Sequence, residues 1–265
     1  MNQLQLTRKQ WSLIGLLLLA TCYGIDYEIE TLTGGNPSLS LYPYVILASL
    51  LISIYLVPFI IYLRKAQQNW QIPSFVLPLT FFVSLFASSW TAVEGNDLLA
   101  SFWAIFLDKK FLADWEMALT APLIEELVKT GIAICLLAIF GKWDKKWAFL
   151  LGITTGMGFQ VIEDIEYIYL GGLEKLSNTI PSALYRIAGS LSSHYLYTAL
   201  LTVGVALLIS QSKQVSKSKI WLWILAPVIC HFFWNSPLNV GPVSAIISSL
   251  SLLIFLDMVL YVMAD

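Results

Sequence analysis

Long apolar stretches separated by short polar segments dominate the chain. Each is near the ~20 residues that an α-helix rising ~1.5 Å per residue needs to cross a ~30 Å hydrocarbon layer. Eight membrane-spanning helices are predicted: Trp11–Ile25, Tyr44–Leu63, Ile72–Val93, Met117–Phe140, Trp147–Leu170, Ala183–Ser210, Ile220–Leu238 and Val243–Val262. The pattern predicts an all-α fold, a polytopic integral membrane helix bundle in which residues 1–265 form a single transmembrane domain.

The composition agrees with a membrane location. Hydrophobic residues make up 58% of the chain and charged residues 12%, whereas a soluble domain has roughly 25% charged residues. The mean hydropathy is +0.75. A soluble protein this apolar could not cover its surface with polar groups, so we expect a multi-pass protein that faces the lipid bilayer. The net charge of -2 gives no reason to expect a nucleic-acid partner.

The basic residues predict the orientation in the membrane. When the connections are numbered from a cytoplasmic N-terminus, ten basic residues fall on one side and four on the other. The ten are Arg8, Lys9, Arg64, Lys65, Lys142, Lys145, Lys146, Lys213, Lys217 and Lys219; the four are Lys109, Lys110, Lys175 and Arg186. By the positive-inside rule, both termini are predicted to be cytoplasmic. Arg186 is then expected at the outer interface, in contact with a lipid headgroup or, as the less favoured alternative, a substrate carboxylate.

Ionisable and amide side chains interrupt four of the predicted spans. An ionisable group at mid-bilayer costs ~2.5 to 3.5 kcal/mol, so it needs a partner or a water-filled cavity. The residues are Glu125, Glu126 and Lys129 in the fourth span, Glu163 and Asp164 in the fifth, His194 in the sixth, and His231 and Asn235 in the seventh. Counted along uninterrupted helices, they share one layer displaced toward the outer leaflet. Spacings of four residues, as from His231 to Asn235, place pairs on one helix face.

Two kinds of hydrolytic site can be built from these groups. An ionised glutamate can act as a general base toward water, while imidazoles and an amide orient that water or donate to an oxyanion. Alternatively, Glu163, His194 and His231 could bind a zinc ion that acidifies the water. The spacing does not choose between the two, because the chain has no HExxH motif.

Two other classes of function also place ionisable groups inside a membrane. A proton-coupled transporter would do so, although no paired halves with matching interrupted helices are recognisable in the sequence. A non-catalytic scaffold that sequesters another membrane protein would keep the fold and tolerate loss of Glu125. Both remain alternatives to an enzyme at this level.

Four segments resemble the PrsW family of intramembrane endopeptidases, which is related to the CAAX-prenyl protease and bacteriocin-processing group. "APLIEELVK" resembles the family's EExxK helix, "GMGFQVIEDIEYIY" its GxGFxxxEN segment, "SSHYLYTALLTVG" its helix with His followed by Thr and Gly, and "ICHFFWNSP" its HxxxN helix. The four occur in the family's order between Ala121 and Pro237. One departure is Asp164, which stands where the family usually has Asn.

The resemblance implies proteolysis of a membrane-embedded protein or peptide near the extracytoplasmic side. In some members of the family the substrate is an anti-sigma factor. It implies a base-bearing pair, Glu125 and Glu126, with Glu125 favoured as the base and Glu126 as its support. Glu163, His194, His231 and Asn235 would complete the site on catalytic helices between residues 117 and 238. The catalytic type, glutamic or metal-dependent with zinc, stays open. The implied location is a bacterial cell (inner) membrane.

Overall fold

The computed structural model describes residues 6–34 and 37–264, and the regular structure in these ranges is entirely helical. The α-helices are α1 (Arg8–Thr33), α2 (Leu41–Leu50), α3 (Ser53–Asn69), α4 (Val76–Trp103), α5 (Lys109–Phe140), α6 (Lys145–Glu174), α7 (Thr179–Gly189), α8 (His194–Ile209), α9 (Lys217–Asn235) and α10 (Pro242–Met263). Two short 3-10 turns, Leu176–Asn178 and Ser190–Ser192, flank α7. The predicted all-helical class is confirmed.

Several helical segments are long and apolar enough to span a membrane. Among the described residues these are Arg8–Thr33, Val76–Trp103, Leu176–Ile209 and Pro242–Met263, and the bent pair α2 and α3 would make a fifth. The segments α5, α6 and α9 fall outside this set; they contain the ionisable residues singled out above, which lower the mean hydropathy of a segment. The multi-pass membrane architecture is supported, while the count of eight spans and the cytoplasmic termini stay predictions.

Two of the predicted helices are interrupted, so their continuity was predicted wrongly. The second predicted span bends by 45° between α2 and α3. The sixth, Ala183–Ser210, is broken between α7 and α8, where Ser193 has an extended backbone conformation (φ -140°, ψ -168°). Hydropathy does not detect such breaks, because apolar residues continue on both sides. His194 is therefore the first residue of α8 rather than a mid-helix residue.

Helix α6 is the centre of the bundle and packs most extensively against α8 and α4. Its residues from Ala148 to Ile162 are all buried, as expected of a helix enclosed on every side. Glycines permit the close approach of its neighbours. A Cβ atom on Gly156 would lie 2.5 Å from the backbone of His194 and Tyr195, and one on Gly158 would lie 2.8 Å from the Phe81 carbonyl oxygen. The first turn of α8 is thus seated directly on α6.

Candidate active site

The predicted site residues on four helices converge in the core. Helix α5 contributes Glu125 and Glu126, α6 contributes Glu163, α8 contributes His194 and α9 contributes His231. All of these except the partly exposed Glu163 are buried. Lys129 lies four residues after Glu125 and three after Glu126, so its side chain can contact both on the surface of the helix. The side chains that sequence reasoning grouped therefore do meet.

Lys129 lies at the centre of this cluster, although the catalytic set predicted from the sequence does not include it. Its Nζ atom is 2.8 Å from Glu126 Oε1 and 3.4 Å from Glu125 Oε2. The same atom is 2.8 Å from His194 Nδ1 and 4.3 Å from the centroid of the Phe159 ring. With no exposed surface, the ammonium is compensated entirely by these groups. It offsets the charge that the two carboxylates bring into the bundle.

Each histidine is held by a carboxylate. His194 Nε2 is 2.9 Å from Glu163 Oε2, and His231 Nδ1 is 3.2 Å from Glu126 Oε1. Because Lys129 donates to His194 Nδ1, the neutral His194 ring has its proton on Nε2 and donates it to Glu163. The neutral His231 ring likewise donates its Nδ1 proton to Glu126, which leaves Nε2 as an acceptor. That Nε2 atom lies 3.9 Å from Glu125 Oε2.

Arg186 belongs to the site: it pairs with carboxylates of the protein, whereas a lipid headgroup was the expected partner. Its guanidinium forms salt bridges with Glu163 and Asp164, and it stacks on Tyr167 with Cζ 4.7 Å from the ring centroid. The hydroxyl of Tyr55 donates to Asp164 Oδ2 at 2.7 Å. Arg186 thereby links α7 to the carboxylate that holds His194. The sequence signal for it was the acidic pair on α6, which needs a nearby cation.

A cavity of about 570 Å³ reaches this cluster. Its walls include Glu125, Glu163, His194, His231 and Asn235, while Glu126 is not among them. Further lining residues are Met117, Gln160, Tyr167, Tyr185, Arg186, Ser192, Trp234, Asn239 and Ser244. Glu125 therefore faces the space in which a substrate would lie, and Glu126 supports the site from behind. Asn235, one turn after His231 on α9, has access to the same space.

One group of side chains within the described residues has the spacing of a metal site. Ligand atoms of Glu125, His194 and His231 lie within 4.8 Å of one another, and such a His₂Glu set occurs at catalytic zinc. It differs from the set predicted from the sequence by having Glu125 in place of Glu163. The donor types fit zinc, but the arrangement does not fit fully. Both nitrogens of His194 are already in contact, Nδ1 with Lys129 and Nε2 with Glu163.

Comparison with known proteins identifies one family. The model of the family described as "PrsW family intramembrane metalloprotease" matches residues 72–264, 193 of the 265 residues. This range contains all six predicted catalytic residues. No curated protein and no solved structure matches.

Proposed function

The chain belongs to the PrsW family of intramembrane proteases, and from this premise we propose that it is an endopeptidase with a glutamate-activated water. The observation that carries the proposal is the pair formed by Glu125 Oε2 and His231 Nε2, two acceptors 3.9 Å apart at the wall of the cavity. A gap of this width between two polar atoms suits one bridging water. Its substrate would be a membrane-embedded protein or peptide, such as an anti-sigma factor.

The two acceptors define the role of the water. When Glu125 and His231 each accept one of its protons, a lone pair of the water oxygen is left free for the carbonyl carbon. Glu125 then takes the proton as the new C–O bond forms, and it returns that proton to the amine nitrogen when the C–N bond breaks. The Asn235 amide, at the same cavity, donates to the oxygen of the attacked carbonyl.

The remaining charged residues keep these groups in place. Glu126 fixes the ring of His231, Glu163 fixes the ring of His194, and Lys129 offsets one of the two negative charges of Glu125 and Glu126. Carboxylates that hold an imidazole in one tautomer and orientation contribute to catalysis without touching the substrate. Both supporting glutamates are part of the proposed catalytic set.

Zinc is the alternative that the family description raises. If present, it would be held by Glu125, His194 and His231 and would lower the pKa of a bound water. We favour the metal-free reaction because the Lys129 ammonium already contacts His194 Nδ1, the ring nitrogen that lies 3.7 Å from Glu125 Oε2. For zinc to bind there, Lys129 would have to withdraw.

Cleavage of single-span reporter proteins in liposomes tests the proposal. The wild type should cleave a reporter, and Glu125→Gln should lose cleavage while Glu116→Gln, an exposed glutamate on the same helix, should not. A strong chelator should leave the wild-type rate unchanged. Chelator inhibition that added zinc reverses would assign a metal-dependent type, and equal cleavage by wild type and Glu125→Gln would reject the site.

We also propose eight spans with both termini in the cytoplasm of a bacterial cell and cleavage near the extracytoplasmic side. The basic residues support this orientation. It is tested with single cysteines at exposed Lys142 and Lys175 in a chain whose three native cysteines are replaced. An impermeant thiol reagent added to intact cells should label position 175 and not 142, and the reverse labelling would invert the topology.

A further inference from the structure

The break before α8 leaves backbone donors without acceptors inside the bundle. The N–H groups of Leu196 and Tyr197 both donate to the Ser193 carbonyl oxygen. Those of His194 and Tyr195 have no acceptor among the described residues. Ser193, the residue before the helix, does not cap them, because its hydroxyl donates to Gln160 Oε1.

A buried hydroxyl group adjoins this helix end. Ser192 is 5% exposed, and its Oγ atom has no hydrogen-bond partner in the described part of the chain. It lines the same cavity as Glu125 and His231. The nearby Tyr197 hydroxyl interacts with Ser251 Oγ at 3.4 Å. A buried polar atom without a hydrogen-bond partner costs about 1 to 3 kcal/mol of stability. A serine hydroxyl at this position therefore suggests a function that offsets this cost.

The two observations indicate the same kind of ligand. A helix N-terminus carries roughly half a positive charge on its free N–H groups and attracts negative charge. In membrane proteins, irregular backbone is tolerated where it lines a cavity, and interrupted helices direct their N-termini at anionic groups. The ligand at this position should therefore be small and anionic.

We propose that the N-terminal end of α8, with the N–H groups of His194 and Tyr195 and the hydroxyl of Ser192, is an oxyanion hole. This inference rests on the proposed peptidase function and adds donors to Asn235. When the water oxygen bonds to the carbonyl carbon, the electron pair of the C=O π bond moves to the carbonyl oxygen. These donors hold that oxygen until the electron pair returns and the C–N bond breaks.

A backbone substitution tests the N–H group of Tyr195 directly. Incorporating the α-hydroxy acid analogue of tyrosine replaces the amide by an ester and keeps the side chain. The ester at position 195 should lower kcat by about 10²-fold and leave KM nearly unchanged. The same ester at Tyr197 removes an N–H that is used inside the helix; it should lower stability and leave kcat within about threefold. Equal kcat for the two esters would overturn the proposal.

Ser192 is tested by substitution together with a binding measurement that needs no turnover. Ser192→Ala should lower kcat by about 10-fold to 10²-fold, and Ser192→Thr, which keeps the hydroxyl, should restore most of it. Ser190→Ala is the matched control, because Ser190 is equally buried but already donates to the Ile187 carbonyl oxygen at 2.8 Å. It should behave as the wild type.

The binding probe is a hydrophobic peptide phosphinate, a tetrahedral anion, compared with the same peptide as a neutral ketone. Titration calorimetry in detergent should show that the wild type and Ser190→Ala prefer the phosphinate, and that Ser192→Ala loses about 10-fold of this preference. An absent preference in the wild type, or an equal one in Ser192→Ala, would overturn the oxyanion hole. If Glu125→Gln cleaves as well as the wild type, the proposed function fails instead.

Discussion

Lys129 Nζ lies 2.8 Å from Glu126 Oε1, and neither side chain has appreciable contact with solvent. The two residues are one helical turn apart, so α5 alone brings them together. Glu125, also within 3.4 Å of the ammonium, adds a second negative charge. The centre of the bundle thus contains two carboxylates and one cation, and the Nδ1–H group of His231 donates to Glu126. The single cation is the critical member, because its removal would leave both buried carboxylates uncompensated.

Replacing Lys129 should therefore destabilise the protein strongly. We expect Lys129→Met to lower the free energy of unfolding by about 3 to 5 kcal/mol, the usual effect of stranding a buried charge. Thermal unfolding in detergent would measure the loss. Lys110→Met, an exposed lysine on the same helix, should change stability by less than about 0.5 kcal/mol. Adding Glu126→Gln to Lys129→Met should recover part of the loss; no recovery would mean that the loss has another origin.

Glu125 and Glu126 should differ in their effects on kcat. Glu125 faces the cavity, so Glu125→Gln should lower kcat by about 10³-fold or more, as expected for loss of a general base. Glu126 is fully buried behind it and holds His231, so Glu126→Gln should lower kcat by about 10-fold to 10²-fold. Single-turnover cleavage of the same reporter measures both. The opposite order would assign the base to Glu126.

The convergence of the site could be predicted because each intramembrane ionisable group needs a partner. The predicted spans that contain Glu125, Glu163, His194 and His231 have few other polar residues. These groups could therefore find partners only in one another, which predicts that they lie in one layer. The sequence places Lys129 in the same span as the glutamate pair, but it does not reveal that the ammonium also contacts an imidazole 65 residues away. Contacts of that range depend on how the helices cross.

The broken sixth span could not be predicted from hydropathy. Residues on both sides of Ser193 are apolar enough to give one continuous segment, Leu176–Ile209. The break depends on the backbone of Ser193, whose hydroxyl bonds to Gln160 on α6. The contact of Arg186 with Glu163 and Asp164 could not be predicted from the sequence either, because hydropathy does not show which helices pack against each other. Helix α7 packs against α6, and this packing brings the guanidinium to the acidic pair.

Asp164 and Arg186 should be energetically coupled. Asp164, which stands where the family usually has Asn, is fully buried and accepts from Arg186 and Tyr55. Arg186→Gln should destabilise the wild type more than it destabilises the Asp164→Asn variant, because only the carboxylate is left as an uncompensated charge. A double-mutant cycle on thermal unfolding should give a coupling of about 1 to 3 kcal/mol.

The control for this cycle is Lys219, whose salt bridge with Asp257 is partly exposed. The same cycle with Lys219→Gln and Asp257→Asn should give less than about 1 kcal/mol, the usual value for an exposed pair. If the coupling between Asp164 and Arg186 is no larger than that of the control, the buried salt bridge does not stabilise the aspartate at the position where the family usually has Asn.

Gly156 should be essential for the position of His194. An added Cβ would meet the His194 carbonyl oxygen and the Tyr195 Cα at 2.5 Å, and backbone atoms cannot rotate away as a side chain can. Gly156→Ala should therefore displace the first turn of α8, lower stability by about 1 to 3 kcal/mol and reduce kcat at least 10-fold.

Gly131→Ala is the matched control for this last prediction. Gly131 lies on α5, and a Cβ there would meet no atom within 4 Å. Because alanine favours the helix by about 0.5 to 1 kcal/mol over glycine, Gly131→Ala should keep full activity and unfold at a slightly higher temperature. Thermal unfolding and reporter cleavage measured on both variants separate the effects. If Gly156→Ala retained wild-type kcat, the close packing of α8 on α6 at Gly156 would not control the position of the His194 imidazole.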